Sequence, residues 1–369
     1  MKYIDEFRDR DKAAALLRSI ETLVAEIRPH QPLQIMEVCG GHTHAIFRYG
    51  IEAMLPDAVE LVHGPGCPVC VLPMGRVDDC IAIATQPGVI LTTFGDAMRV
   101  PGSRGSLLQA KANGADIRMV YSPTDALEIA RKNPNREVVF FGLGFETTMP
   151  PTALTVLEAE RDGIANFSVF CNHITIVPTL QAILDSPGLR IDGFVGPGHV
   201  SMVIGTTPYE FIARHYRKPL VVSGFEPLDV LQSVWMVLRQ IADGRADIEN
   251  QYARVVASSG NAAAQRAIDA VYESRDHFEW RGLGSIDQSG VRFRDAYARF
   301  DAERRFAVPG VRITDPAECQ CGEVLKGALK PYQCRVFGSS CTPETPLGAL
   351  MVSSEGACAA YYRYAAKAA

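Results

Sequence analysis

Most of the ten cysteines in this 369-residue chain fall into two groups. The start of the chain lacks the apolar segment of a signal peptide, so we expect a cytoplasmic location, where structural disulfides are rare. Clustered cysteines in such a compartment are typically metal ligands or redox-active thiols. The sequence therefore predicts two separate thiol sites. The first contains Cys39, Cys67 and Cys70, and the second contains Cys319, Cys321, Cys334, Cys341 and Cys358.

The C-terminal cysteines can bind either zinc or an iron–sulfur cluster, because no histidine accompanies them. Structural zinc sites usually use two closely spaced cysteine pairs, whereas here one C-x-C pair is followed by three widely spaced single cysteines. This irregular spacing favours a [4Fe–4S] cluster, with zinc and free thiols as alternatives. Five cysteines for four ligand positions leave one spare, which we expect to be Cys319 or Cys321.

Cys67 and Cys70 form a C-x-x-C motif directly after a glycine-rich strand end. Backbone N–H groups and a helix N-terminus can stabilise a thiolate there, and the pair could cycle between dithiol and disulfide or bind a soft metal. Cys39 opens the segment CGGHTH, whose glycines allow a ligand or partner to approach the backbone closely. The alternatives are an inert, buried C-x-x-C pair and a Cys39 that packs only as a small apolar residue.

Two histidines accompany Cys39 in the same segment. His42 and His44 could be metal ligands, proton donors or only hydrogen-bonded residues, and we favour a role other than metal binding for both. The isolated Cys80 and Cys171 are expected in the core. The candidate catalytic residues are therefore Cys39, Cys67, Cys70 and His44, the three thiols being candidate iron ligands as well.

The segments that must position these residues alternate between short apolar runs and helical patterns as far as about residue 226. The runs LQIMEV (33–38), EVVFFG (137–142) and IDGFVG (191–196) are typical of strands. Helix starts are signalled between the strands, for example at Ser122-Pro123-Thr124-Asp125. The alternation predicts an α/β fold with parallel sheets.

A weak internal repeat predicts two related lobes, since Cys39 and Cys171 are each followed 25 residues later by Gly-Pro-Gly. Ligands bind beyond the carboxyl ends of parallel strands, so both lobes should face a shared cleft. The C-terminal part has little periodic apolar sequence, so we expect a metal to stabilise it. The predicted units are an N-terminal helix (1–30), a first α/β lobe (31–134), a second α/β lobe with a helical extension (135–279), and a connector with a small, irregular C-terminal [4Fe–4S] domain (280–369).

Several other classes of protein are disfavoured. The net charge of −5 gives no reason to expect nucleic acid as a partner, and no apolar stretch is long enough to cross a membrane. GLGFETT (142–148) lacks the GKS or GKT ending of a phosphate-binding loop, and the chain contains no G-x-S-x-G motif.

Over nearly its whole length the chain resembles the HypD family of [NiFe]-hydrogenase maturation proteins. Many uncommon strings occur in one order, which makes coincidence negligible. The strings are EVCGGHTHAIFRYGI (37–51), HGPGCPVC (63–70), TTFGDAMRVPGS (92–103), GFETT (144–148), CNH (171–173), GPGHVS (196–201), SGFEPLD (223–229), WRGLG (280–284), CTPETPLG (341–348) and MVSSEGACAAYY (351–362).

The resemblance implies a scaffold that, together with the small chaperone HypC, carries the Fe(CN)2(CO) unit during its assembly. HypE, which obtains its cyanide precursor through HypF, delivers the cyanide, and the finished unit passes through HypC to the hydrogenase large subunit. Cys39 would share the iron with a cysteine of HypC, while Cys67 and Cys70 would act in redox chemistry or iron binding. The C-terminal cysteines would hold a [4Fe–4S] cluster in surroundings similar to those of ferredoxin–thioredoxin reductase. Leu350 stands where many members carry cysteine, which excludes a ligand there.

Two other functions are kept as alternatives. One is a disulfide oxidoreductase similar to ferredoxin–thioredoxin reductase, and the other is an interaction protein stapled by zinc. Neither requires the CGGHTH segment, which therefore favours the assembly scaffold. Whether the protein is an enzyme in its own right stays open, since a scaffold with redox competence fits the same residues.

Overall fold

The computed structural model describes residues 5–308, 310 and 312–364. The strands are β1 (Leu33–Glu37), β2 (Val59–His63), β3 (Val89–Thr93), β4 (Ile117–Met119), β5 (Glu137–Gly144), β6 (Phe167–His173), β7 (Ile191–Gly196), β8 (Leu220–Val222), β9 (Ile248–Asn250), β10 (Tyr272–Ser274), β11 (His277–Trp280), β12 (Gly284–Asp287) and β13 (Val291–Phe293). The α-helices are α1 (Arg10–Ile27), α2 (Gly40–Tyr49), α3 (Ile51–Met54), α4 (Met74–Ala84), α5 (Leu107–Ala112), α6 (Pro123–Lys132), α7 (Met149–Arg161), α8 (Ile176–Leu184), α9 (Gly198–Ile204), α10 (Glu210–Tyr216), α11 (Pro227–Ala242), α12 (Ala262–Val271), α13 (Ala302–Arg305), α14 (Cys321–Leu325) and α15 (Ala357–Tyr364).

Two parallel sheets form the centre of the molecule. Sheet A has the strand order β2-β1-β7-β8-β9, and sheet B has the order β4-β3-β5-β6. All neighbouring strands within each sheet are parallel. Every residue of β1, β3 and β6 is buried, as expected for strands covered by helices on both faces. The predicted α/β class with parallel sheets is confirmed.

The two sheets are nested in the sequence: the strands of sheet B lie between two groups of strands that belong to sheet A. The chain forms β1 and β2 in sheet A, crosses to sheet B for β3 to β6, and returns to sheet A for β7 to β9. The predicted boundary between residues 134 and 135 therefore falls inside sheet B, and the strands of the predicted first lobe are divided between the sheets. Local sequence pattern identifies a strand but not its partner, and β1 pairs with β7 across more than 150 residues.

The two sheets are related by their strand order. In each, the first strand has the second strand on one side and the third on the other, which is a doubly wound arrangement. The repeat read from the sequence does not match this relation, because Cys39 follows a strand of sheet A whereas Cys171 lies in a strand of sheet B. The order reverses between β1 and β7 and between β3 and β5, and crevices for ligands form beyond such points.

The predicted N-terminal helix is present as α1, although residues 1–4 lie outside the described residues. Asp9 caps α1 by accepting from the N–H groups of Asp11 and Lys12, and α1 packs against α11 through the buried Ile20 and Leu23. No helix in the described part of the chain is long and apolar enough to span a membrane.

The segment after β13 consists of short helices and turns. Its Leu325, Leu350 and Met351 are buried in the same core as residues of both sheets, such as Met36 and Leu91. Helix α15 packs against α2, and the turn Ala349–Met351 packs against the turn Val69–Val71. The C-terminal part therefore buries more apolar surface than its sequence suggested, and it lies against the loops that follow β1 and β2.

Substituting Gly66→Ala should separate these two loops. A Cβ atom at Gly66 would lie 2.5 Å from Cys39 Cα and 2.6 Å from the carbonyl carbon of Val38, both backbone atoms that cannot move independently. We expect the free energy of unfolding to fall by about 2 kcal/mol or more. Thermal unfolding, monitored by circular dichroism, measures this loss of stability. The control is Gly88→Ala, where φ is +79° but nothing lies within 4 Å, so that only a backbone cost of about 1 kcal/mol applies. Equal losses in the two variants would contradict the close contact.

Candidate functional site

Cys39 occupies the N-cap position of α2, directly beyond the end of β1. The loop after β2 touches it, since the N–H of Gly40 donates to the carbonyl of Gly66 at 3.0 Å. Cys67 follows Gly66, so the two motifs that carry the N-terminal cysteines meet at their backbones. The site lies where the strand order of sheet A reverses, because β1 and β7 are neighbours there.

A buried carboxylate, that of Glu37, fixes the turn at Cys39 by hydrogen bonds. Glu37, the last residue of β1, has no solvent exposure. Its Oε2 accepts from the N–H of Cys39 at 3.0 Å. Its Oε1 accepts from the hydroxyl of Thr43 and lies 2.9 Å from Nδ1 of His63. A carboxylate with three partners fixes the backbone on which the Cys39 thiol is mounted.

Aromatic rings stack next to the Cys39 thiol. Nδ1 of His199, at the start of α9, lies 3.8 Å from Cys39 Sγ. The His199 ring stacks on Phe225 at 3.9 Å between centroids, and Phe225 stacks on His42 at 4.7 Å. Nε2 of His42 lies 3.1 Å from the carbonyl of Ser223. Burial lowers the pKa of both His42 and His199, which keeps the two imidazoles neutral.

His44 was predicted as a catalytic residue, but the imidazole beside the Cys39 thiol belongs to His199. The His44 ring is half-buried and packs edge-on against Tyr364, at 6.0 Å between centroids. A catalytic role for His44 stays a prediction, with no contact to Cys39 among the described residues to support it.

Glu355 lies over the start of α2. A Cβ atom on Gly40 would lie 2.6 Å from Glu355 Oε2, so the carboxyl group occupies the space that a side chain there would need. Burial, with the negative charges of Asp96 and Glu37, raises the pKa of Glu355. Burial also raises the pKa of Cys39 to about 12, with further contributions from Glu37 and Glu355. Cys39 is therefore a neutral thiol near neutral pH.

Cys67 and Cys70 are both buried and unbridged. The N–H of Cys70 donates to the carbonyl of Cys67 at 3.1 Å. Burial raises the pKa of Cys70 well above its ordinary value, and the hydrogen bond with Cys67 and the charges of Glu355 and Cys321 act in the same direction. The expectation that this position stabilises a thiolate is therefore wrong for Cys70, because burial and neighbouring negative charges dominate.

The segment that carries the C-terminal cysteines packs against the Cys67–Cys70 pair. A Cβ atom on Gly356 would lie 2.9 Å from Cys70 Sγ, so Cys70 packs directly against the segment that leads to Cys358. Cys319 and Cys321 place their sulfur atoms 3.2 Å apart. A Cβ atom on Gly348 would collide with both sulfurs, so this glycine leaves the space that they occupy.

Cys321 is hydrogen-bonded to two other cysteines, Cys319 and Cys358. The hydrogen bond from Cys319 lowers the pKa of Cys321, but the hydrogen bond with Cys358 and burial outweigh it and raise the pKa overall. The backbone N–H of Leu350 donates to the same sulfur. Cys334 and Cys341 lie in the turns of residues 334–341, which contact this segment where the N–H of Arg335 donates to Oε1 of Gln320 at 3.1 Å.

All ten cysteines are free thiols. In residues 5–308, 310 and 312–364, no three His, Cys, Asp or Glu side chains are arranged to hold a metal ion. The predicted [4Fe–4S] cluster and iron site therefore stay predictions. Cys80 and Cys171 are fully buried in the core, as predicted.

Three of the residues next to Cys39 were missed by sequence reasoning. Glu37 ends a mainly apolar strand, and its position two residues before Cys39 was the only available signal. His199 lies in GPGHVS and Glu355 in SSEGAC, and the sequence of these segments does not indicate a role for either residue. Only tertiary structure brings these side chains to the thiol.

Comparison with known proteins gives a consistent result. The family model HypD, described as "Hydrogenase formation hypA family", matches residues 11–365. The hydrogenase maturation factor HypD of Rhodobacter capsulatus is 63% identical over 370 residues, covering 99% of this chain and 98% of the relative. HypD of Escherichia coli K12 is 55% identical over 366 residues, with 99% and 98% covered. The hydrogenase expression/formation protein HupD of Azotobacter chroococcum mcd 1 is 52% identical over 370 residues, with 99% and 97% covered.

Substituting Glu355→Gln should make the Cys39 thiol more acidic. Loss of a negative neighbour lowers the pKa of Cys39 from about 12, so that more thiolate is present at any pH below that value. We expect alkylation of Cys39 by iodoacetamide to become about two- to ten-fold faster at mildly alkaline pH, with the pH profile shifted to lower pH. Peptide mapping by mass spectrometry of anaerobic, metal-free protein measures the rate at Cys39 alone. The control is Glu344→Gln, an exposed acid of the same segment. An unchanged rate in Glu355→Gln would show that its charge does not act on Cys39.

Proposed function

The chain belongs to the HypD family of hydrogenase maturation factors, and we propose that it serves as the scaffold on which the Fe(CN)2(CO) unit of a [NiFe]-hydrogenase is assembled. A small chaperone of the HypC type would share the iron, and a HypE-type protein, supplied through HypF, would deliver the cyanide. The assembled unit would leave through the chaperone to the hydrogenase large subunit. The observation that carries this proposal is the meeting of Cys39 with the Gly66–Cys67 turn at the switch point of sheet A.

The chemistry of Cys39 supports iron as the cargo. Thiolate sulfur is a soft ligand and suits an iron that also carries cyanide and carbonyl. To bind the iron, Cys39 must lose its proton, and the neutral imidazole of His199, 3.8 Å from the sulfur, can accept it. The carboxylates of Glu37 and Glu355, which disfavour a free thiolate, favour the divalent cation that replaces the proton.

Open space next to the ring stack supports the binding of a partner. A cavity of about 490 Å³ is lined by Phe225, Glu226, Asp229, Tyr252 and Arg254, among others. Phe225, one of the lining residues, stacks directly on His199, which contacts Cys39. A chaperone residue that enters this cavity would come near the iron-binding thiol without displacing the core.

Cys67 and Cys70 would supply the electrons for cyanide release. A thiocyanate-type carrier accepts two electrons and one proton when its S–C bond breaks, giving a carrier thiol and cyanide. Oxidation of the Cys67–Cys70 dithiol to a disulfide releases two electrons and two protons, so the two reactions balance with one proton left over. The geometry permits a bridge, since the two residues share one turn and their thiols are hydrogen-bonded.

The C-terminal cysteines fit a [4Fe–4S] cluster in their chemistry. Cys319, Cys321 and Cys358 offer sulfur donors next to one another, and Gly348 leaves room where any side chain would collide with two of the sulfurs. Cys321 and Cys358, with others of the five, would hold the cluster, and the N–H of Leu350 would donate to a ligand sulfur. A bound cluster would supply single electrons for reduction of the neighbouring disulfide.

Anaerobic co-purification with the HypC-type chaperone, followed by infrared and Mössbauer spectroscopy, tests the scaffold. We expect infrared bands of iron-bound carbonyl and cyanide in the wild-type complex and their loss in Cys39→Ala, because that variant lacks the ligand sulfur. The control Cys80→Ala removes a buried thiol of the core and should keep the bands. Bands that persist in Cys39→Ala would contradict the proposal. A complex without such bands that still reduces disulfides would instead select the oxidoreductase, the second candidate function.

The cluster is tested by the metal and sulfide content of anaerobically purified protein. We expect about four irons and four acid-labile sulfides per chain, and a loss of most of both in Cys321→Ala, because Cys321 contacts both Cys319 and Cys358. The control Cys171→Ala, a buried thiol in sheet B, should retain them. A colourless protein with one zinc and no iron would support the zinc-stapled alternative.

A further inference from the structure

Phe225 lies where three segments meet at the carboxyl edge of sheet A. It follows β8 in the segment SGFEP, while His42 lies near the start of α2, after β1, and His199 lies near the start of α9, after β7. The Phe225 ring stacks on both imidazoles, with its centroid 4.7 Å from that of His42 and 3.9 Å from that of His199. One aromatic ring therefore joins the segments that follow three neighbouring strands.

Two glycines leave room for this ring. A Cβ atom on Gly41 would lie 2.8 Å from Cε1 of Phe225, and a Cβ atom on Gly198 would lie 3.0 Å from its Cε2 and Cζ. The Cβ atom on Gly198 would also meet the carbonyl oxygen of Ser223, at 2.3 Å. Neither glycine has a positive φ, so close approach and not backbone conformation accounts for this residue type at both positions. The Phe225 ring is therefore confined between the starts of α2 and α9.

His199 needs a support for its ring. The residue is exposed, although enough protein surrounds the imidazole to lower its pKa, and an exposed side chain ordinarily samples several rotamers. In the described part of the chain, its side chain makes two contacts by hydrogen bonding or stacking: Nδ1 lies 3.8 Å from Cys39 Sγ, and the ring stacks on Phe225. A thiol is a weak hydrogen-bonding group, so the stack on Phe225 is the stronger restraint on the orientation of the imidazole.

We propose that Phe225 is a positioning residue, which holds the imidazole of His199 against the Cys39 sulfur with Nδ1 in place to accept the thiol proton. When a metal or another electrophile reaches the sulfur, the S–H bond breaks, the proton moves to Nδ1, and the sulfur keeps the electron pair for its new bond. Phe225 acts through His199 and takes no part in bond formation. This inference rests on the proposed function, in which His199 accepts the proton of Cys39.

Alkylation of Cys39 by iodoacetamide in anaerobic, metal-free protein tests this role, because the sulfur displaces iodide as its proton leaves. We expect Phe225→Leu to slow the reaction at Cys39 about two- to ten-fold at neutral pH, which corresponds to the strength of one aromatic stack. A substitution that only loosened the site would expose the thiol and speed the reaction, so the direction of the change separates the two roles. The control Phe211→Leu removes a half-buried ring that contacts Tyr216 and should leave the rate unchanged. Circular dichroism establishes that the variants are folded, and Phe225→Met replaces Phe225→Leu if the latter is not.

A double-mutant cycle in the same assay shows whether Phe225 acts through His199. We expect His199→Gln to slow alkylation at least as much as Phe225→Leu, and the double variant to be no slower than His199→Gln, whereas independent effects would multiply. An unchanged rate in His199→Gln contradicts the proton transfer of the proposed function and this inference with it. If His199→Gln slows alkylation but Phe225→Leu does not, or if the two effects multiply, only the role of Phe225 is overturned. The assay contains no iron, so its result is separate from that of the infrared experiment.

Discussion

The site depends on one backbone contact, the approach of Gly66 to the Cys39 turn. Adjacent parallel strands bring their carboxyl ends to the same edge, but they do not by themselves bring two loops into contact. Here the missing Cβ of Gly66 allows the loop after β2 to rest on the N-cap of α2. Glu37 holds the same turn from inside the sheet with its three partners. The backbones of the two cysteine motifs thereby meet on a rigid support.

Burial and negative charge determine the state of these thiols. Glu37 and Glu355 act on Cys39, and Glu355 also acts on Cys70, so both thiols are held in their neutral form. A neutral thiol is a poor nucleophile and resists oxidation, which would protect the site before the proposed iron binds. The same charges attract a cation. The same side chains would therefore both suppress side reactions of the free thiols and favour the proposed binding of iron.

The sequence was informative where local pattern decides structure. The strand at 137–142 and the helix start at Ser122 are both present, the latter as a capping box in which Asp125 reciprocates. The pairing of strands could not be predicted from local pattern, because β7 pairs with β1 although all four strands of sheet B lie between them in the sequence. The cysteines were evident from type and spacing, whereas Glu37, His199 and Glu355 required tertiary structure. An acid at the end of an apolar strand and an acid in a loop of small residues do not indicate from the local sequence which groups they contact.

The nesting of sheet B within sheet A has a mechanical consequence. A terminal domain is joined to the rest of a protein by a single segment, but the strands of sheet B are joined to those of sheet A at two places, between β2 and β3 and between β6 and β7. The chain after β9 also returns to pack α12, β13 and α13 on sheet B. Several connections restrict a relative rotation of the sheets more than a single one would. The first of these connections contains Cys67 and Cys70. Any opening or closing between the sheets is thus transmitted through the backbone that carries the dithiol.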